Sequence, residues 1–223
     1  MDVNTPLAGS MAVEAAPVLR FPGVLLTAVA ATSSHDSTVA FLGTSQGHLK
    51  KAVVETAVKA SEYADLVIDE GSPVNADMVF DKHRNHLYVM TEKRVTMVKV
   101  QECHMFKTCM DCLGANDPYC GWCSSENKCS LRGACAEVPL LYWLPYKSGL
   151  CATITEVHPP QIQSTTKRIL NLAIDNLPPV EEQFFCAFSA LGKVLVTKAR
   201  RSANGVTCAT PESDSLPTIP PGE

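Results

Sequence analysis

The first 102 residues of this 223-residue chain contain no cysteine, whereas the remainder contains ten. Aromatic residues are sparse at 6%, and no stretch approaches the ~20 consecutive apolar residues of a membrane-spanning helix. No asparagine is followed two positions on by serine or threonine, so no N-glycan acceptor is present. Neither sign of charge dominates: 19 Lys and Arg oppose 23 Asp and Glu, for a net charge of −4. That balance excludes the basic footprint of a nucleic-acid binder. The N-terminus lacks the basic start and apolar core of an export signal, and Val24–Ala31 lies behind Glu14 and too far from Met1 to serve as one. Missing as well are a phosphate-binding glycine loop, a nucleophile elbow and paired catalytic carboxylates. No enzyme and no cofactor are expected.

What is present is concentrated. Eight cysteines fall between Cys103 and Cys151, and two follow at Cys186 and Cys208. An even number packed into so short a stretch is the pattern of a disulfide framework formed in an oxidising compartment. With no export signal of its own, the chain is expected to be an internal fragment of a longer secreted or membrane protein.

Around that module the pattern is β. Leu25–Ala31, Thr38–Gly43 and His48–Val54 are short apolar runs, the last two joined by the turn Ser45-Gln46-Gly47. Leu66–Ile68 follows. A second cycle runs through Asp77–Phe80, the polar break Asp81–Asn85, His86–Met90 and Arg94–Val100, where Val95, Met97 (with Val98) and Val100 alternate with Thr96 and Lys99. Two loosely similar cycles of strands suggest propeller blades, and two blades alone cannot close a ring. After Cys151 come Ile154–Ile162, Arg168–Ile174, Phe184–Phe188, Lys193–Lys198 and Gly205–Cys208, most of an immunoglobulin-like sandwich. A further strand or two is expected where Pro220–Glu223 end the sequence.

Three chemistries compete for the cysteines. Zinc would take Cys109-x-x-Cys112 and Cys120-x-x-Cys123, but seven residues separate the pairs where zinc ribbons have roughly fifteen to twenty, and four cysteines would be left over. Redox chemistry at Cys120-Gly-Trp-Cys123 needs a thiolate at a helix N-terminus in a βαβ setting, and no such pattern surrounds it. Structural disulfides use all eight, each adding about 2–4 kcal/mol to a module with little core of its own. Spacing does not choose among the 105 pairings open to eight cysteines.

The run Cys-x5-Cys-x2-Cys-x7-Cys-Gly-Trp-Cys, with Asp117-Pro118-Tyr119 leading into it, resembles the PSI module of plexins, semaphorins and integrins. "FLGTSQGHLKK" and "HLYVMTEKRVTMVKVQEC" resemble the end of a sema-type propeller, and "GVTCATP" resembles the cysteine strand of a plexin IPT/TIG domain. The order of these parts, with the Trp143 segment between Cys135 and Cys151, most resembles plexins of the B type. The fold implied is mostly β: the C-terminal part of a sema β-propeller (1–101), a PSI module (102–151) and an IPT/TIG-like sandwich (152–223). The pairings implied are Cys103–Cys120, Cys109–Cys151, Cys112–Cys129, Cys123–Cys135 and Cys186–Cys208, with Trp122 inside the PSI core. The resemblance further implies a single-span, cell-surface parent that binds semaphorins chiefly through its full propeller, forms a receptor oligomer and signals in axon guidance. No ligand-contacting residue is carried over to this segment, which would act as a spacer. Two alternatives share the domain order: a semaphorin ligand, which requires a true immunoglobulin domain after the PSI, and a receptor kinase of the hepatocyte-growth-factor type.

Other residues tempt less. His83 and His86 sit in a polar turn and are read as solvated rather than as a metal pair. Asp69-Glu70 and Glu181-Glu182 are read as solvated loops. Ser33-Ser34-His35-Asp36 has the residue types of a triad, yet triads are assembled from distant segments. Lys198, Arg200 and Arg201 are read as a solvated strand end.

Overall fold

A computed structural model describes residues 16–34, 37–135, 142–163, 166–179 and 183–216. His35, Asp36, Glu181, Glu182 and Pro220–Glu223, named above, lie outside the described residues. Two compact units divide the chain: residues up to Glu102 together with Asp117–Tyr119, and Cys103–Asn116 together with the residues from Cys120 onward.

The first unit is built from two antiparallel meanders. Strands β1 (Leu26–Ser34), β2 (Ser37–Thr44), β3 (His48–Thr56) and β4 (Lys59–Val67) lie in that order in one sheet; β5 (Met78–Phe80), β6 (His86–Met90) and β7 (Val95–Lys99) form the other. Alternation sends Val39 and Phe41 of β2, Leu49 of β3, and Leu87 and Val89 of β6 into one core with Ala28, Ile68, Val74 and Val100. Phe41 meets Phe80 edge to face at 5.5 Å between centroids. Burying each large side chain contributes about 1.5–3 kcal/mol. The β2–β3 turn depends on Gly47, whose φ is +83° and whose missing Cβ would sit 1.8 Å from the Asp69 carbonyl.

Two expectations about these strands need correction. β4 begins at Lys59, well before Leu66, because its exposed positions Lys59, Ser61 and Glu62 obscure the strand pattern while its backbone completes the ladder with β3. In β7 Val98 does face inward, but its companion there is Thr96, not Val95 and Met97, which are 64% and 56% exposed. Register decides this: Leu87 and Val89 face the core, and they stand opposite Val98 and Thr96. A one-residue shift would turn every side chain of the strand over.

In the second unit a short helix α1 (Cys109–Gly114) precedes a small sheet of β8 (Cys120–Cys123), β9 (Lys128–Leu131) and β10 (Trp143–Pro145), with β8 in the middle. Strands β11 (Thr153–His158), β12 (Ile169–Asp175), β13 (Phe184–Ala190), β14 (Lys193–Ser202) and β15 (Gly205–Ala209) then pair in the order β11-β12-β15-β14-β13. β11 stops at His158, since Pro159 and Pro160 have no N–H to donate to the ladder. β14 makes the corner of the sandwich. Its first half pairs with β13 and its second with β15, and Ala199, 1% exposed, stands opposite both Phe184 and Cys208. Cys186 and Cys208 lie on strands separated by β14, yet their Cα atoms are 6.4 Å apart. Flat strands two places apart would be roughly 9.5 Å apart, so the sheet folds over at β14 into two layers. Leu170, Ala199 and Val206 fill the space between, with Phe184 and Phe188 packed against them.

Candidate functional site

The cysteine module starts from a capped helix. Thr108, in extended conformation, accepts the Asp111 N–H on its Oγ1 at 3.1 Å and donates to the Asp111 carboxylate at 2.7 Å. This arrangement fixes a six-residue helix too short to persist alone. Disulfides do the rest: Cys112–Cys129 ties α1 to β9, and Cys109–Cys151 ties it to the approach to β11. Cys103–Cys120 and Cys123–Cys135 pin the two ends of β8, and Cys186–Cys208 closes the sandwich. No described cysteine is free.

All four residues of β8 are buried, Trp122 at 7% exposure. Gly121 is where the second tryptophan comes closest: a Cβ there would lie 2.3 Å from Trp143 Cε2 and 2.6 Å from the Leu144 carbonyl. Trp143, 9% exposed, donates its Nε1–H to the Ser130 carbonyl at 3.1 Å. The module's interior is thus two indoles, one glycine and four cystine bridges around a three-stranded sheet, with Cys103–Cys120 and Cys112–Cys129 buried at both ends and Cys109 and Cys135 half-buried. Chemically, Cys120 and Cys123 are each bonded to another partner rather than to each other, and neither offers a thiolate. No group of His, Cys, Asp and Glu among the described residues is placed to hold a metal.

The first unit holds two buried ionisable residues, Lys51 and Asp117, that the sequence pattern did not single out. Lys51, 6% exposed, donates its Nζ–H to the carbonyls of Lys99 and Val100, both at 3.0 Å, and lies 5.7 Å from the Phe41 ring centroid. Burial lowers its pKa, and the charges of Asp117 and Glu102 oppose that shift. Asp117, 7% exposed, accepts the Tyr119 N–H at 2.9 Å; burial raises its carboxyl above the ordinary carboxylate range, against that hydrogen bond and the charge of Lys51. Burial also pushes the Tyr119 phenol up to about 12. The available signal for Lys51 was its place on the same face as Leu49 and Val53 in a period-two strand; its charge masked it.

The remaining residues are placed as follows. His86 is half-buried with its Nδ1 2.9 Å from Asp81, while His83 is exposed. Asp69 is buried and not a solvated loop residue: Thr91 donates to it at 2.8 Å and Arg94 approaches to 3.2 Å. The Thr91 hydroxyl holds its carboxyl below the ordinary range, and Arg94 adds to this. Glu70 is exposed. Lys198 and Arg200 point outward from the second half of β14, and Arg201, next to its last residue, donates to the Pro178 carbonyl with its guanidinium 5.6 Å from the Phe184 ring centroid, so Arg201 is engaged rather than free in solvent. Ser34 is buried, its hydroxyl donating to the Pro118 carbonyl at 2.9 Å.

Comparison with known proteins places these parts. The sema domain family matches residues 2–81, the PSI plexin repeat residues 102–152 and the plexin TIG domain residues 158–223. Human plexin-B1 is 34% identical over 98% of this chain, and mouse plexin-A2 is 34% identical over 99%. This chain spans 10% of the first protein and 12% of the second. Among solved structures, the full extracellular region of plexin A4 superposes with a TM-score of 0.74 at 29% identity, over 89% of this chain and 20% of that one. With two tryptophans and four disulfides in a PSI repeat, flanked by matches to a sema domain and a plexin TIG domain, the chain belongs to the plexin family.

Proposed function

We propose that this chain is an extracellular segment of a plexin-type semaphorin receptor, and that it serves the receptor as architecture. The succession of sema, PSI and plexin TIG matches along nearly the whole chain carries this reading. Buried cystines, buried indoles and a sandwich closed by its own disulfide suit a stiff spacer in an oxidising space. We read the module's role as non-enzymatic, in keeping with every described cysteine being held in a disulfide. The parent would be a single-span, cell-surface protein whose full propeller takes the semaphorin and whose copies associate. Domain limits near 101 and 151 follow from the same reading. The plexin TIG match after the module favours the receptor over a semaphorin ligand, which would carry an immunoglobulin domain there.

The test is binding by surface plasmon resonance. A secreted ectodomain with the complete propeller joined to this segment should bind a semaphorin ectodomain saturably, and the 223-residue chain alone should not. Equal binding by the chain alone would overturn the spacer role. No binding by any complete ectodomain across a semaphorin panel would overturn the receptor reading.

A further inference from the structure

We propose that Asp117–Tyr119 is a structural segment of the first unit that the Cys103–Cys120 disulfide delivers, so that forming this one bond completes the core around Lys51. Three contacts hold the segment. The Ser34 hydroxyl donates to the Pro118 carbonyl at 2.9 Å, Tyr119 packs against the apolar core of Phe41 and Leu87, and the Asp117 charge acts on the Lys51 ammonium. All three involve groups that are buried or partly buried. Without the segment the ammonium would keep two main-chain carbonyls but lose Asp117, and the Ser34 hydroxyl would lose its acceptor. Buried polar groups are costly when left unpaired.

The disulfide sits where such delivery needs it. Val100, whose carbonyl holds Lys51, precedes Cys103 by three residues, and Tyr119 immediately precedes Cys120. Cys103 and Cys120 are 17 residues apart in sequence, with Cα atoms 5.4 Å apart. In the dithiol state the segment must find its place against the entropy of closing that loop; the bond removes most of this cost. The chemistry balances with a disulfide-bearing oxidant. A thiolate of the pair attacks the oxidant's disulfide to give a mixed disulfide, and the second thiolate displaces it. Two electrons and the two cysteine protons pass to the oxidant, which leaves as a dithiol. Once formed, the bond is shielded, with Cys103 2% and Cys120 0% exposed. It therefore acts as a checkpoint in maturation rather than a reversible switch.

Amide hydrogen exchange on the full chain tests this. In the paired variant Cys103→Ser/Cys120→Ser, protection in β2, β3 and β7 should fall at least tenfold while β12, β14 and β15 stay as in the parent. Cys186→Ser/Cys208→Ser should show the reverse pattern. Ser34→Ala, which removes the donor to the Pro118 carbonyl, with ten cysteines still unreactive to thiol titration, should lower protection in β2, β3 and β7 severalfold; this arm stands even where the serine pair fails to fold. In a Lys51→Met background the loss from the serine pair should shrink, because no buried ammonium is left without its partner. Unchanged first-unit protection in Ser34→Ala, equal losses from both serine pairs, or the same loss in both backgrounds would overturn the proposal.

Discussion

Replacing Gly121 with alanine adds a single methyl group at the point where the cysteine module has no room. The added carbon would stand 2.3 and 2.4 Å from two atoms of the Trp143 ring and 2.6 Å from the Leu144 carbonyl. The ring cannot swing away, since its Nε1–H is held by the Ser130 carbonyl and its strand is paired to β8. Nor can the carbonyl, because Leu144 stands opposite Trp122 in the same ladder. Overpacking a closed core costs about 1–3 kcal/mol, and a clash with backbone belongs at the upper end. A loss of about 3 kcal/mol corresponds to a drop in Tm on the order of 15 °C for a domain this small. The chain's two tryptophans are Trp122 and Trp143, so indole fluorescence during thermal unfolding reports on this module alone. Gly114→Ala is the matched control: a Cβ there meets nothing within 4 Å, and at the end of α1 alanine should be neutral or stabilising by up to about 1 kcal/mol. Gly121→Ala within about 0.5 kcal/mol of the parent, or a Gly114→Ala loss of equal size, would refute the packing account.

Two buried carboxylates should give opposite pH slopes. Asp69 is held low by Thr91 and then Arg94, so its contribution is present above the ordinary carboxylate pKa and is lost as pH falls through its lowered folded value; Asp69→Asn should flatten the acid limb of a urea-unfolding series. Asp117 is raised by burial, so it favours the folded state at low pH, and that contribution fades as pH rises from the ordinary carboxylate pKa through the raised folded value; Asp117→Asn should remove this decline. Thr108→Ala, which deletes the cap of α1, should cost about 0.5–2 kcal/mol in the same assay, and Thr108→Ser should recover most of it. Opening Cys109–Cys151, which spans 42 residues, should cost about 3–4 kcal/mol, more than opening Cys123–Cys135, which spans 12. The reverse order would show that strain, not chain entropy, sets the contribution.

How far the sequence revealed this can be followed strand by strand. Alternating β-branched and aromatic residues between glycine and polar turns located the blades, and β6 runs from His86 to Met90 as its composition implies. The facing of β7 was hidden because both of its faces carry apolar residues, and only its pairing with β6 decides between them. The polar first half of β4 and the second half of β14 were missed for a related reason: ladder partners hold Lys59–Glu62 and Ala199–Ser202 in strand, not their own side chains. At the module, spacing announced cystines but left their connectivity open, since pairing is a property of the folded chain. Lys51, Asp69 and Asp117 were invisible because charge ordinarily signals the surface. Lys51 and Asp69 are each buried beside a partner that lies 22 or more residues away in sequence, as Asp69 is with Thr91.

The claim that the module carries architecture and no thiol chemistry is tested most directly by peptide mass mapping of the secreted chain under non-reducing conditions with alkylation. Five cross-linked pairs should be found, joining Cys103 to Cys120, Cys109 to Cys151, Cys112 to Cys129, Cys123 to Cys135 and Cys186 to Cys208, with no alkylated cysteine. A Cys120–Cys123 bond, or alkylatable cysteines released together with bound zinc, would contradict it.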